Sequence, residues 1–203
     1  MPYIVAKHQV VKTIHLMKQL FLVLLSAFIL VSCQKEVSYE TPVNGGGGGG
    51  AGNNSYFIQA KVNGTTKTFN FNNAAIITDL GGGVKSLSLV GNASSNASSL
   101  EGINLAINFM AISPKTGTYT EDYSGTDYVT AAVYNPNSTT VVYGAGLIAS
   151  SVSPLNITIT KLDNTVVSGT FKGAFYKLDI SSGNPSSTEY LNFTDGSFNL
   201  PVR

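Results

Sequence analysis

From residue 56 onward, apolar side chains recur at every second position. Ile103, Leu105, Ile107 and Phe109 alternate with Asn104, Ala106 and Asn108. Leu155, Ile157 and Ile159 alternate with Asn156, Thr158 and Thr160. A period of two sends successive side chains to opposite faces of an extended chain, so these segments read as strands with one face in a core. A helix would instead need apolar positions three and four apart. No such spacing persists in 56–203, which narrows the fold to all-β.

The turn chemistry between the runs agrees. Asn63-Gly64 separates residues 56–62 from 65–71, and Asn-Gly accepts the positive φ angles of a type I′ hairpin turn. Gly81, Gly82 and Gly83 turn a second hairpin into 84–90, and Asp163-Asn164 joins 155–162 to 166–178. The last strand covers 190–200 and breaks at Asp195-Gly196. Gly169 and Gly173 within one strand mark a bulge or a close packing contact. NASSNASSLEG, residues 92–102, reads as a long polar loop. About nine or ten strands in this pattern predict an antiparallel β-sandwich, with a calycin-like β-barrel as the alternative. A domain of about 150 residues buries roughly 70% of its unfolded surface, enough for a core without disulfides.

Composition then limits the chemistry. The chain carries 12 basic and 11 acidic residues, a net charge of +1. Such a balance makes no broad positive field, which argues against nucleic acid as a partner. Both histidines, His8 and His15, precede the single cysteine, Cys33. The chain beyond Cys33 therefore lacks the groups of Ser–His–Asp and Cys–His nucleophilic sites. It also lacks the usual ligands for zinc, copper and iron. No Ser-x-x-Lys or Gly-x-Ser-x-Gly occurs in 56–203. Gly144-Ala145-Gly146-Leu147-Ile148-Ala149 matches the dinucleotide fingerprint in letters, but that fingerprint works at a helix N-terminus and Pro154 follows too soon. A glycine-kinked strand is the expectation there.

Carboxylates remain. Glu121, Asp122 and Asp127 cluster in TEDYSGTDY, with Tyr119, Tyr123 and Tyr128 beside them. Several oxygen ligands in one loop suit Ca²⁺, although the alternating order of a calcium-binding loop is missing. Two carboxyls could also serve glycoside cleavage if one pKa were raised. The plainer expectation is a solvated loop whose tyrosines pack at its edge. The three tyrosines are also the candidates for stacking on a ligand, although the chain has no Trp to strengthen a carbohydrate site.

The other informative region lies upstream. Lys18-Gln19 precedes LFLVLLSAFILV, residues 20–31. About twelve apolar residues are too few to span a bilayer as a helix, which takes about 20. A basic start before a short apolar core reads as a secretory signal peptide. It ends in Leu30-Val31-Ser32-Cys33. These four residues resemble the bacterial lipobox. The resemblance implies that the Cys33 thiol receives a diacylglyceryl group, that a peptidase cuts between Ser32 and Cys33, and that the freed amine is acylated. Two hydrophobic chains suffice for stable membrane anchoring, and this cysteine would carry three. A complete leader of this kind already begins at Met17, which points to Met17 as the true start.

Gln34 follows the cysteine, where the lipoprotein sorting rule would place Asp for retention at the inner membrane. The expected location is the outer membrane, facing either the cell surface or the periplasm. Gln34-Lys35-Glu36 resembles a shortened surface-export signal of Bacteroidota lipoproteins. From there to residue 55 no hydrophobic period appears, and Gly45 to Gly50 make a flexible tether. A Gly-rich coil of this length reaches about 25 Å. The expected organisation is a signal peptide over 1–32, a lipidated cysteine and linker over 33–55, and a β-domain over 56–203.

Four segments of the domain carry a second resemblance. Phe57-Ile58-Gln59-Ala60-Lys61-Val62-Asn63-Gly64, Pro114-Lys115-Thr116-Gly117-Thr118-Tyr119, Val167-Ser168-Gly169-Thr170-Phe171 and Phe193-Thr194-Asp195-Gly196-Ser197-Phe198 are similar to segments of a family of short, uncharacterised, β-rich Bacteroidota lipoproteins. The resemblance implies a lipid-anchored β-domain and no activity. The expected role is non-enzymatic: binding or structural interaction at the envelope, with a protein, a glycan or a small ligand as partner and no required cofactor. A barrel carrying an apolar ligand is the alternative, and a hydrolase relying on carboxylates comes last.

Overall fold

The structure, a computed structural model, describes residues 56–110, 112–121, 127–146, 152–180 and 185–203. The leader, Ser32 and Cys33, and the glycine tether lie outside them, as do Asp122, Tyr123 and residues 147–149. The described residues form eleven strands and no helix. In chain order these are β1 (Phe57–Val62), β2 (Thr65–Phe69), β3 (Phe71–Gly81), β4 (Val84–Asn92), β5 (Gly102–Met110) and β6 (Gly117–Thr120). They continue as β7 (Tyr128–Asn135), β8 (Val141–Ala145), β9 (Asn156–Leu162), β10 (Val166–Asp179) and β11 (Pro185–Pro201).

All eleven belong to one antiparallel sheet, whose main path runs β2-β1-β11-β10-β8-β7-β5-β4-β3. The two ends of this path approach each other. Ala75 of β3 makes a parallel bridge to Val202, just past β11, and the Arg203 N–H donates to the Ala75 carbonyl at 3.0 Å. A Cβ built at Gly91 of β4 would lie 3.0 Å from the Phe69 carbonyl of β2. The sheet is therefore nearly closed and barrel-like, the second of the two all-β arrangements expected.

The hairpins follow the turn chemistry. Asn63 and Gly64 have φ of 47° and 84°, and Gly81, Gly82 and Gly83 are all in the positive-φ region. The first hairpin is shorter than its sequence suggests. Asn72, at φ 48°, marks a new start, and Phe71 opens β3 instead of ending β2. Gly144 and Ala145 close β8, and Gly146 turns away at φ 75°.

The pairing along β10 forks. Its first half pairs with β9 and its second half with β8, while β11 holds the opposite edge throughout. Gly173 sits at the fork, where a Cβ would lie 2.9 Å from the Leu155 Cα. β11 does not break at Asp195 but bulges. Gln59 and Lys61 of β1 pair with Ser197 and Thr194, and Phe171 and Gly173 of β10 pair with Gly196 and Phe193. Both neighbours thus register one extra residue in β11, and Asp195 takes it up at φ 51°.

Inward-facing residues fill the interior with rings. Phe175 stacks on Phe193 at 4.0 Å, and Tyr134 meets Phe193 edge-on at 5.4 Å. Ile58, Leu87, Leu105, Ile107 and Ile157 are fully buried around them. Each such side chain contributes about 1.5–3 kcal/mol on burial, and the ring pairs add about 0.5–1.5 kcal/mol each.

The four segments quoted from the domain's sequence lie on strands linked through successive pairings. β1 pairs with β11, β11 with β10, β10 with β9 and β9 with β6. The opening segment lies on β1, the closing one on β11, the third on β10, and the second enters β6.

Candidate functional site

The acidic segment divides on folding. The Glu121 N–H donates to the Leu155 carbonyl at 2.7 Å, and the Leu155 N–H donates back to Glu121 Oε2 at 2.9 Å. This reciprocal clip fastens the end of β6 to the start of β9. Asp127 is exposed, and its backbone carbonyl accepts from the Met110 N–H at 2.7 Å. Asp122 lies outside the described residues. Among the described residues no group of three or more His, Cys, Asp or Glu side chains is placed to hold a metal ion.

Two of the three tyrosines lie within the described residues, and both pack against the core. Tyr119 is 4% exposed, with its ring edge-on to Phe109 at 5.2 Å and to Tyr128 at 5.1 Å. Its hydroxyl donates to the Lys115 carbonyl at 2.7 Å. Burial pushes the phenol pKa up. Tyr128 is half-buried and packs against the core. The Tyr119 ring, buried between Phe109 and Tyr128, presents no bare face for a ligand to stack on. Tyr123 lies outside the described residues.

A different polar cluster joins three side chains that lie far apart in sequence. Lys67 Nζ donates to Glu101 Oε1 at 2.8 Å, and the Tyr134 hydroxyl donates to the same oxygen at 2.9 Å. Lys67 comes from β2, Glu101 from the turn into β5 and Tyr134 from β7. Partial burial works against the Glu101 carboxylate. The Lys67 and Tyr134 bonds and the Lys67 charge outweigh it and hold the pKa below the ordinary value of 4.5. Burial, the Glu101 bond and the Glu101 charge together push the Tyr134 phenol well above its usual range. Glu101 is therefore an ionised acceptor and Tyr134 a protonated donor. That pairing fixes positions and leaves neither group free to move a proton near neutrality.

The sequence offers no signal for this cluster, because Glu101 stands in what reads as a polar loop, 34 residues from Lys67 and 33 from Tyr134. The loop itself is tied down, since the Leu100 N–H donates to Asn137 Oδ1 at 2.7 Å. Two further buried polar groups stand out. Asn104 Oδ1 on β5 and Thr130 Oγ1 on β7 find no hydrogen-bond partner among the described residues.

No protein-family model matches the chain, and neither a curated protein nor a solved structure matches it.

Proposed function

We propose that this chain is a lipid-anchored protein of the bacterial cell envelope whose β-domain works by binding or as a structural module, without catalysis. One observation carries the reading. The single cysteine stands at the end of a short apolar run, behind Leu30-Val31-Ser32, with a glycine tether after it. Acyl chains on Cys33 would hold the protein at the outer membrane, since Gln34 is not the inner-membrane retention residue. The family of small β-rich Bacteroidota lipoproteins is the relationship that the four quoted segments suggest.

Binding is the better reading of the domain for two reasons. The chain beyond Cys33 has no histidine and no second cysteine. The partly buried cluster Lys67–Glu101–Tyr134 is paired within itself. A protein or glycan partner suits the domain better than an apolar ligand held inside it. The barrel-like sheet would favour an enclosed ligand, but the Phe175–Phe193 stack and the Tyr134 ring occupy that interior.

Metabolic labelling tests the anchor. Cells expressing the chain and fed a labelled fatty acid are expected to transfer label to it, and the Cys33→Ala chain is expected to take up none. Label retained by Cys33→Ala, or absent from the unaltered chain, defeats the reading.

A further inference from the structure

We infer that the outer edge of β3 between Ile76 and Leu80 is a dimerisation edge, which pairs antiparallel with the same edge of a second copy. The inference starts from backbone directions. In an antiparallel ladder a residue sends its N–H and its C=O to the same neighbour, and the next residue sends both the other way. The Ala75 carbonyl accepts from Arg203, on the side away from β4. The register with β4 is unbroken from Ala74 to Asp79. Ile77 and Asp79 are therefore in step with Ala75 and direct their N–H and C=O groups outward. Ile76 and Thr78 bond to β4.

This edge differs from the other two. β2 has five residues, with Lys67 at its centre, and β6 has four. Shortness and lysine are the usual protections against strand addition. β3 has eleven residues and no proline or lysine, and its one charge, Asp79, stands opposite Lys85 in the ladder register. Ile77 is 40% exposed and Leu80 45% exposed, beside backbone groups that no other described strand pairs. The edge also accepts strands, because Val202 and Arg203 already lie on it at Ala75.

A second copy is the occupant that fits what remains. The tail at Ala75 leaves only the stretch from Ile76 onward, and that stretch is self-complementary about Thr78. Ile77 of one copy meets Asp79 of the other, and the reverse, with every outward backbone group paired. The two Thr78 residues face each other as a non-hydrogen-bonded pair. The exposed Arg203 then stands beside the end of the facing strand that carries the second copy's Asp79, a charge complement. Two-fold pairing of this kind closes on itself and cannot run on into a fibre.

The test uses the full chain with Cys33→Ala, so that one added cysteine is its single thiol. Facing Cα atoms in a non-hydrogen-bonded pair stand about 4.5 Å apart, within disulfide range. Mild oxidation should convert Thr78→Cys to a linked dimer and leave Thr66→Cys, exposed on β2, as monomer. Adding Ile77→Pro to Thr78→Cys should abolish the dimer. Proline there removes an outward N–H and no bond to β4, so the melting transition should stay in place. Should the proline variant melt early, Asp79→Lys decides. It keeps every backbone group, places a lysine on the edge opposite Arg203, and should also abolish the dimer. Equal linking from positions 66 and 78 overturns the inference. So does a linked dimer that survives a folded Ile77→Pro or Asp79→Lys.

Discussion

Phe198 on β11 is the cross-strand partner of Gly169 on β10, and a Cβ at residue 169 would stand 2.6 Å from the Phe198 Cζ. Two residues along, the relationship reverses. Phe171 on β10 faces Gly196 on β11, where a Cβ would stand 2.6 Å from the Phe171 Cδ1. Each ring lies across the other strand's glycine, beside the bulge at Asp195. A ring over a glycine stabilises a sheet position that would otherwise be weak. Gly169→Ala and Gly196→Ala should each destabilise the domain by about 1–3 kcal/mol, the usual cost of overpacking. Both Cβ atoms would also run into a backbone carbonyl, and Gly169→Ala should be the worse of the two because its approach to the Thr158 carbonyl is closer than that of a residue-196 Cβ to the Phe171 carbonyl. Urea unfolding measures both, and midpoints that match the parent chain would contradict this packing.

Tyr134→Phe leaves Glu101 with Lys67 alone and should cost about 1–3 kcal/mol, as expected for a hydrogen bond to a charged group. The pH dependence has a definite sign. The folded pKa of Glu101 lies below its ordinary 4.5. Its stabilisation is thus present above that value and is lost as pH falls through the lower folded one. Stability should drop on acidification below 4.5, and Glu101→Gln should flatten part of that drop. Tyr134 acts at the other end. Its raised pKa makes its contribution fade as pH climbs past the ordinary phenol value of 10.0. Denaturant midpoints measured across pH for both variants check these slopes.

Glu121 should matter to stability and not to calcium. Its carboxylate accepts the Leu155 N–H, so Glu121→Ala should cost about 1–3 kcal/mol by leaving that donor unpaired. Millimolar Ca²⁺ after EDTA treatment should leave the melting temperature unchanged in both chains. A rise with Ca²⁺ that disappears in Glu121→Ala would restore the acidic segment as a cation site.

Much of the fold is legible in the sequence, because strand period and turn chemistry are local. Asn63-Gly64 and the three glycines at 81–83 specify their own φ angles. Leu155, Ile157 and Ile159 declare an inward face, and all three are buried. Closure is not local. Nothing near Ala75 announces that Val202 will bridge to it, and no pattern within β10 says that its edge is shared between β9 and β8. The site is legible only as composition. Tyr119 looks like an exposed ring in a polar segment, yet Phe109 and Tyr128 enclose it. The Glu101 cluster depends on partners more than 30 residues away in sequence.

Detergent-phase partitioning tests whether Cys33 is where the protein meets the membrane. The unaltered chain should enter the detergent phase of a clouding detergent. The Cys33→Ala chain should leave that phase for the aqueous one or accumulate as an uncut precursor. Equal partitioning of the two at the same processed mass would contradict the claim.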